Sequence, residues 1–173
     1  MLLEKHISML QTTVDKNSPR QYGTTVCFSE GFLFSTNGFY LTYTTIGTQI
    51  EGRGTITSSG PQQNAIPPMV SSVIMAAIQA PQIIKLEVID IADILMLAKS
   101  VKTNKKLALG ISSEKHFILV PIDTIKRFPV YRFINPDLIL RATCFSANAG
   151  RISEDSLILA DDSMKAIIVG IKS

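Results

Sequence analysis

The sequence predicts an α+β fold made of repeated units, each a helix followed by paired antiparallel strands. Three observations predict it. Stretches with apolar residues at helical spacing precede short β-branched strand pairs near residues 2–46, 90–120 and 135–171. The links between paired strands are a few residues long, too short for the crossover that parallel pairing requires. The 173 residues are 46% hydrophobic and 18% charged, which supplies a core for one ordinary domain or two small ones rather than a disordered chain. With 7% aromatics and no Trp, that core rests on Ile, Leu, Val and Met.

Each element follows from local chemistry. Leu2 to Val14 carries apolar residues at 2, 3, 7, 10 and 14, one face of a helix, and Asp15-Lys16-Asn17-Ser18-Pro19 stops it. Thr24 to Phe28 and Phe32 to Phe34 read as strands around Ser29-Glu30-Gly31. Thr36-Asn37-Gly38 supplies a second turn, since Asn and Gly tolerate positive φ, and Phe39 to Ile46 is the third strand. Gly47 to Pro68 reads as a loop or linker with a short strand at Gly54 to Thr57. Met69 to Gln79 lacks charge and reads as a short buried helix opening after Pro67-Pro68; Ile83 to Val88 is a strand.

The pattern then returns. Asp90 to Val101 has apolar residues at 91, 94, 95, 97, 98 and 101, with Asp90 as N-cap. Leu107 to Ile111 and Phe117 to Val120 form a hairpin, and a short strand follows at Val130 to Phe133. Asn135-Pro136-Asp137 opens a helix running to about Phe145, because Asn caps and Pro suits the first turn. Ser146 to Glu154 reads as a polar loop. Leu157 to Ala160 and Ala166 to Ile171 make the last hairpin around Asp161-Asp162-Ser163.

Composition and motifs narrow the function classes. No apolar run reaches the roughly 18 residues that span a bilayer, and Met-Leu-Leu-Glu-Lys-His, whose Met1 reads as a natural start, is not a secretory leader. Cys27 and Cys144 sit in apolar contexts, as free thiols of a reducing, cytoplasmic compartment do. His6 and His116 are the only histidines, and no nucleophile, zinc or phosphate-loop motif is present. Asp161-Asp162 reads as turn chemistry. An enzyme would need a site assembled from scattered residues such as His6, Glu4, Asp161 and Asp162; the stronger expectation is a non-enzymatic protein without metal or cofactor. The net charge of +3 permits a polyanionic partner without requiring one.

Several segments, in order, resemble the DNA sliding clamps, most of all the bacterial polymerase III beta subunit and its phage relatives. Cys27-Phe28-Ser29-Glu30-Gly31-Phe32-Leu33-Phe34 leads into Ser35-Thr36-Asn37-Gly38-Phe39-Tyr40-Leu41, which is similar to the family's Ala-Thr-Asp-Gly-His-x-Leu. Ala65-Ile66-Pro67-Pro68 resembles the family's Ile-Pro approach to a helix. Phe133-Ile134-Asn135-Pro136-Asp137-Leu138-Ile139-Leu140 resembles its Phe-Asn-Pro-(Asp/Glu)-Leu-Leu, and Lys165 to Ile171 its closing strand. Phe39 replaces the usual His, Val169-Gly170-Ile171-Lys172 replaces the usual Met-Pro ending, and Gly47 to Lys106 is largely unmatched.

The resemblance implies a DNA-clamp-like sheet with helices on one face, divided into clamp-like units 1–88 and 89–173. It implies a homo-oligomeric, non-enzymatic processivity factor that touches phosphates of double-stranded DNA without reading bases, and that binds peptides of DNA polymerases or clamp loaders in an apolar groove. Residues such as Val130, Ile134, Met164 and Ile171 are available for that groove. The DNA-contact candidates are Arg20 after the first helix, Lys99, Lys102, Lys105 and Lys106 around the end of the second, and Arg141 on the third; Lys126-Arg127 and Arg132 form a second basic patch. Acids at helix starts and bases at helix ends also suit the helix dipole in any protein. The alternative is a viral or mobile-element interaction module that does not encircle DNA.

Overall fold

The structure, a computed structural model, describes residues 2–63, 67–127, 130–153 and 156–169. Helix α1 (Leu2–Gln11) leads into strands β1 (Cys27–Ser29), β2 (Phe32–Thr36) and β3 (Tyr40–Thr45). A hairpin of β4 (Gly54–Thr57) and β5 (Gly60–Gln62) precedes helix α2 (Ser71–Gln79) and strand β6 (Gln82–Leu86). Helix α3 (Val88–Thr103) is followed by β7 (Leu107–Ser112), β8 (Phe117–Pro121) and β9 (Val130–Ile134). Helix α4 (Pro136–Ala142) is followed by β10 (Ala149–Ser153), β11 (Ser156–Ala160) and β12 (Met164–Val169). The fold is α+β with antiparallel sheets, as the helix-then-strands pattern predicts.

One sheet has nine strands in the order β5-β4-β1-β2-β3-β12-β11-β10-β6; a second has three, β8-β7-β9. The large sheet is continuous because β3 pairs with β12, Thr42 opposite Ala166, while β6 pairs with β10. Strands from either side of residue 88 therefore share it. Period-2 alternation gives it two buried faces. Leu33, Tyr40, Leu157, Leu159 and Ile168 pack with Leu10 of α1, Ile91 and Ile94 of α3 and Ile139 of α4. Their neighbours Phe34, Leu41, Ile158 and Ile167 pack on the opposite side against Val70, Ile74 and Ala77 of α2. Helices α1, α3 and α4 thus occupy one side and α2 the other.

Several local expectations are refined. Helix α1 stops at Gln11, not Val14, because the hydroxyls of Thr12 and Thr13 donate to the Met9 and Leu10 carbonyls, both at 2.7 Å, and close the end. Residues Gln21–Thr24 form a 3-10 turn, so β1 begins at Cys27. The N-cap of α3 is Glu87 rather than Asp90. Asp90 sits three residues on, and its carboxylate accepts from the Glu87 amide at 2.7 Å in a capping box. The Asn135 cap stands: its side-chain oxygen accepts from the Asp137 amide at 2.9 Å. That helix ends at Ala142, where the Thr143 hydroxyl donates to the Ile139 carbonyl. The segment read as a polar loop contains β10, made a strand by partners on both edges rather than by its own composition. Helix α2 is buried on one face only: Ile74 and Ala77 are buried, while Val73, Met75 and Ile78 are exposed. Asp161 acts in its turn as expected, accepting from the amides of Ser163 and Met164.

Candidate functional site

A groove of about 160 Å³ opens where the β2–β3 turn, the end of β12 and the start of α2 meet. Thr36, Asn37 and Gly38 build its first wall. The Thr36 hydroxyl accepts from the Gly38 amide and donates to the Tyr40 carbonyl, and the Asn37 side chain accepts from the Phe39 amide. Gly38 holds φ +95°, and a Cβ there would strike the Arg20 guanidinium. This tight turn thrusts Phe39 into solvent, 63% exposed. The Val169 amide donates to the Phe39 carbonyl at 3.0 Å and ties the turn to β12. Met69, Val70 and Val73 form the opposite wall, with Tyr22 and Ile167 completing a lining that is mostly apolar. Such a cleft binds apolar side chains beside a few backbone polar groups.

The position of α2 is fixed from a distance. Its N-cap residue, Val70, has no capping side chain. The Glu30 carboxylate, on the β1–β2 turn, caps it instead: it accepts from the amides of Val70 and Ser71 at 3.1 and 3.0 Å and from the Ser71 hydroxyl at 2.9 Å. These bonds, led by the Ser71 amide and assisted by nearby Arg53, hold the Glu30 carboxyl below its ordinary range. Arg53 donates to the Pro67 carbonyl at 2.7 Å, fixing the approach to the helix, and Arg151 donates to the Ala80 carbonyl at its other end.

The residues expected to meet DNA fall in three places. Lys99 and Lys102 are exposed on the last turns of α3, and Lys105 and Lys106 are exposed in the loop that follows. Arg141 is exposed on α4 and donates to the Val14 carbonyl at 3.0 Å. Arg20 stands apart on the rim of the groove, where it donates to the Tyr22 hydroxyl at 3.1 Å. Two other expectations are corrected. Arg132 is 4% exposed and donates to the Ser153 carbonyl, so it is core and not surface; the side chains of Lys126 and Arg127 lie outside the described residues. Of the residues offered for an apolar groove, Ile134 and Met164 are buried in the core, while Ile171 and the Val130 side chain lie outside the described residues. The groove lies elsewhere. Its signals in the sequence were the Thr36–Leu41 run with its outward Phe39 and the uncharged stretch from Met69.

His6 is buried on α1, and burial lowers its pKa against the pull of Asp161. Burial pushes the Cys27 thiol up to about 12 and Cys144 up to about 11, so neither offers a thiolate at neutral pH. Among the described residues no group of three His, Cys, Asp or Glu side chains could hold a metal ion, and no helix is long and apolar enough to cross a membrane.

No family model matches the chain, and no curated protein is similar to it. Solved structures are. The chain aligns over 98% of its length with the DNA polymerase III beta subunit of Borrelia burgdorferi, with TM-score 0.63 and 14% identity. The sliding clamp of Pseudomonas aeruginosa gives 0.63 and 10% over 99% of the chain. The Helicobacter pylori beta clamp bound to a DNA ligase peptide gives 0.62 and 9% over 99%. The chain has the fold of the DNA sliding clamps. It spans 61% to 64% of the length of these three clamps. Within a clamp fold, α1, α3 and α4 are the helices that share one side of the sheet, while α2 and the groove belong to the other.

Proposed function

We propose that the chain is a sliding-clamp-type processivity module, non-enzymatic, that holds short peptides of DNA polymerases or clamp loaders in the apolar groove. In this reading it works in the cytoplasm as a homo-oligomer and turns Lys99, Lys102, Lys105, Lys106 and Arg141 toward double-stranded DNA, contacting phosphates without reading bases; Arg20 belongs to the groove rim. The stretches 1–88 and 89–173 act as two clamp-like units joined along the β3–β12 pairing, with β6 crossing into the sheet of the second. The observation that carries the reading is the groove at the Thr36–Leu41 turn in a clamp fold, one example of which is bound to a DNA ligase peptide.

The test is a fluorescence-anisotropy titration with labelled terminal peptides of replication polymerases and loaders. Saturable binding is expected, weakened at least roughly tenfold by Val73→Glu, which places an unpaired charge in the groove wall. Absence of binding to every peptide would overturn the groove. For DNA, Lys99→Glu with Lys102→Glu should lower the slope of log affinity against log salt by roughly 2. One observation favours the second reading, an interaction module that never encircles DNA: the start and middle of α3 present Val88, Ile89 and Met96 to solvent where a phosphate-facing helix would carry bases. That reading predicts peptide binding without duplex binding.

A further inference from the structure

The solvent face of α3 has an arrangement that phosphate contact does not explain. The helix buries Ile91, Ile94, Ala98 and Val101. On the other side Met96 is 59% exposed and Ile89 71% exposed. At about 100° per residue, Ile89, Ala92, Asp93, Lys99, Ser100 and Thr103 all lie within about 60° of Met96. Such positions mirror one another about any helical residue, and here their types match as a self-contact requires: an acid, Asp93, three residues before Met96 mirrors a base, Lys99, three after, and the small Ala92 mirrors the small Ser100. Neither Asp93 nor Lys99 has an ion-pair partner among the described residues.

We infer that this face is a self-association surface, on which a second copy of the chain packs its α3 antiparallel about a two-fold axis at Met96. A two-fold contact must be complementary to itself, with each residue meeting its counterpart at the mirrored distance. Here Met96 meets Met96 of the partner subunit at the axis. The small side chains Ala92 and Ser100 flank it and allow an interaxial distance near the lower end of the usual range, about 8 Å. The partner's Lys99 arrives at the level of Asp93; its methylene stem lies over Ala92 and its ammonium reaches the neighbouring carboxylate. Symmetry repeats the pair, so acid meets base twice around an apolar centre. A parallel arrangement would bring like residues to the same level and lose both pairs. This pairing covers Lys99, so it is distinct from the homo-oligomer proposed to turn Lys99 toward DNA, and the two forms exclude each other. The inference does not depend on the groove.

Sedimentation velocity across the micromolar range tests it on the full chain. Wild type should show a reversible monomer–dimer equilibrium. Asp93→Lys alone and Lys99→Asp alone each place like charges face to face and should weaken the dimer roughly tenfold or more. The double variant exchanges both charges and should restore it. All four positions of change in the paired copies are solvent-exposed, and melting by circular dichroism should be unaltered at concentrations where wild type is monomeric. A monomer at every concentration overturns the inference. So does an oligomer whose mass ignores the charge changes, as one closed through strand edges would, or a double variant that fails to recover.

Discussion

Glu30 holds a left-handed backbone at φ +55°, beside Gly31 at φ +81°. Side chains other than Gly, Asn or Asp seldom adopt it. The two-residue link between β1 and β2 needs positive φ, and the return for using Glu is the cap its carboxylate provides for α2 forty residues later. Glu30→Gln keeps the length and an acceptor oxygen but removes the charge, and should destabilise the fold by about 0.3–1 kcal/mol, the usual worth of an anion at a helix N-terminus. The pH dependence has a definite sign. The folded carboxyl titrates below its ordinary 4.5, so the unfolded chain takes up the proton first. The advantage of wild type over the variant is full above about pH 4.5 and fades as pH falls through the lower folded value. Denaturant midpoints of both proteins from pH 7 to 3, whose difference should shrink toward acid, check this. A constant difference would assign the effect to shape alone. The Asn135 cap was legible in the sequence because its partner is two residues away. The Glu30 cap was not, because only the folded sheet brings residues 30 and 70 together.

Among elements, those with their own periodicity or turn chemistry were legible: α1, α3, α4 and the hairpins around Glu30-Gly31, Asn37-Gly38 and Asp161-Asp162. Strand β10 was not, since Ala149-Gly150-Arg151 has no strand preference and is held by β6 and β11 on its two sides. Helix α2 was found but misplaced. An uncharged run signals burial in sequence, yet only Val70, Ile74 and Ala77 face the sheet and the rest stands outside. The β4–β5 hairpin was half legible. Its strand β4 begins at Gly54, where a Cβ would lie 1.9 Å from the Gln62 carbonyl oxygen, which is backbone and cannot swing aside. Gly54→Ala should therefore cost about 1–3 kcal/mol by overpacking. The measurement is thermal unfolding together with amide exchange, and protection should be lost first at Thr55 and Ile56.

At the scale of the whole molecule, the long-range joints decide which face each helix takes. The Thr42 hydroxyl, fully buried on β3, donates to the Ala142 carbonyl at the end of α4, 100 residues away, at 2.8 Å. Thr42→Val preserves shape but leaves that carbonyl only the Cys144 amide, at 3.2 Å, and should destabilise the chain by about 0.5–1.5 kcal/mol, read from the denaturant midpoint. An unchanged midpoint would mean that water replaces the bond. Neither this joint nor the β3–β12 pairing was legible, because period-2 patterns say which face of a strand is buried and not which strand lies beside it. The β3–β12 pairing has a consequence for synthesis. At ordinary elongation speeds, the separation of 119 positions from Thr44 to Ser163 takes on the order of ten seconds to translate. During that time β3 leaves the ribosome with one backbone edge bare. Its sequence Tyr-Leu-Thr-Tyr-Thr-Thr has no charge or proline to blunt that edge, so the nascent chain, not the finished protein, is where a chaperone would be needed.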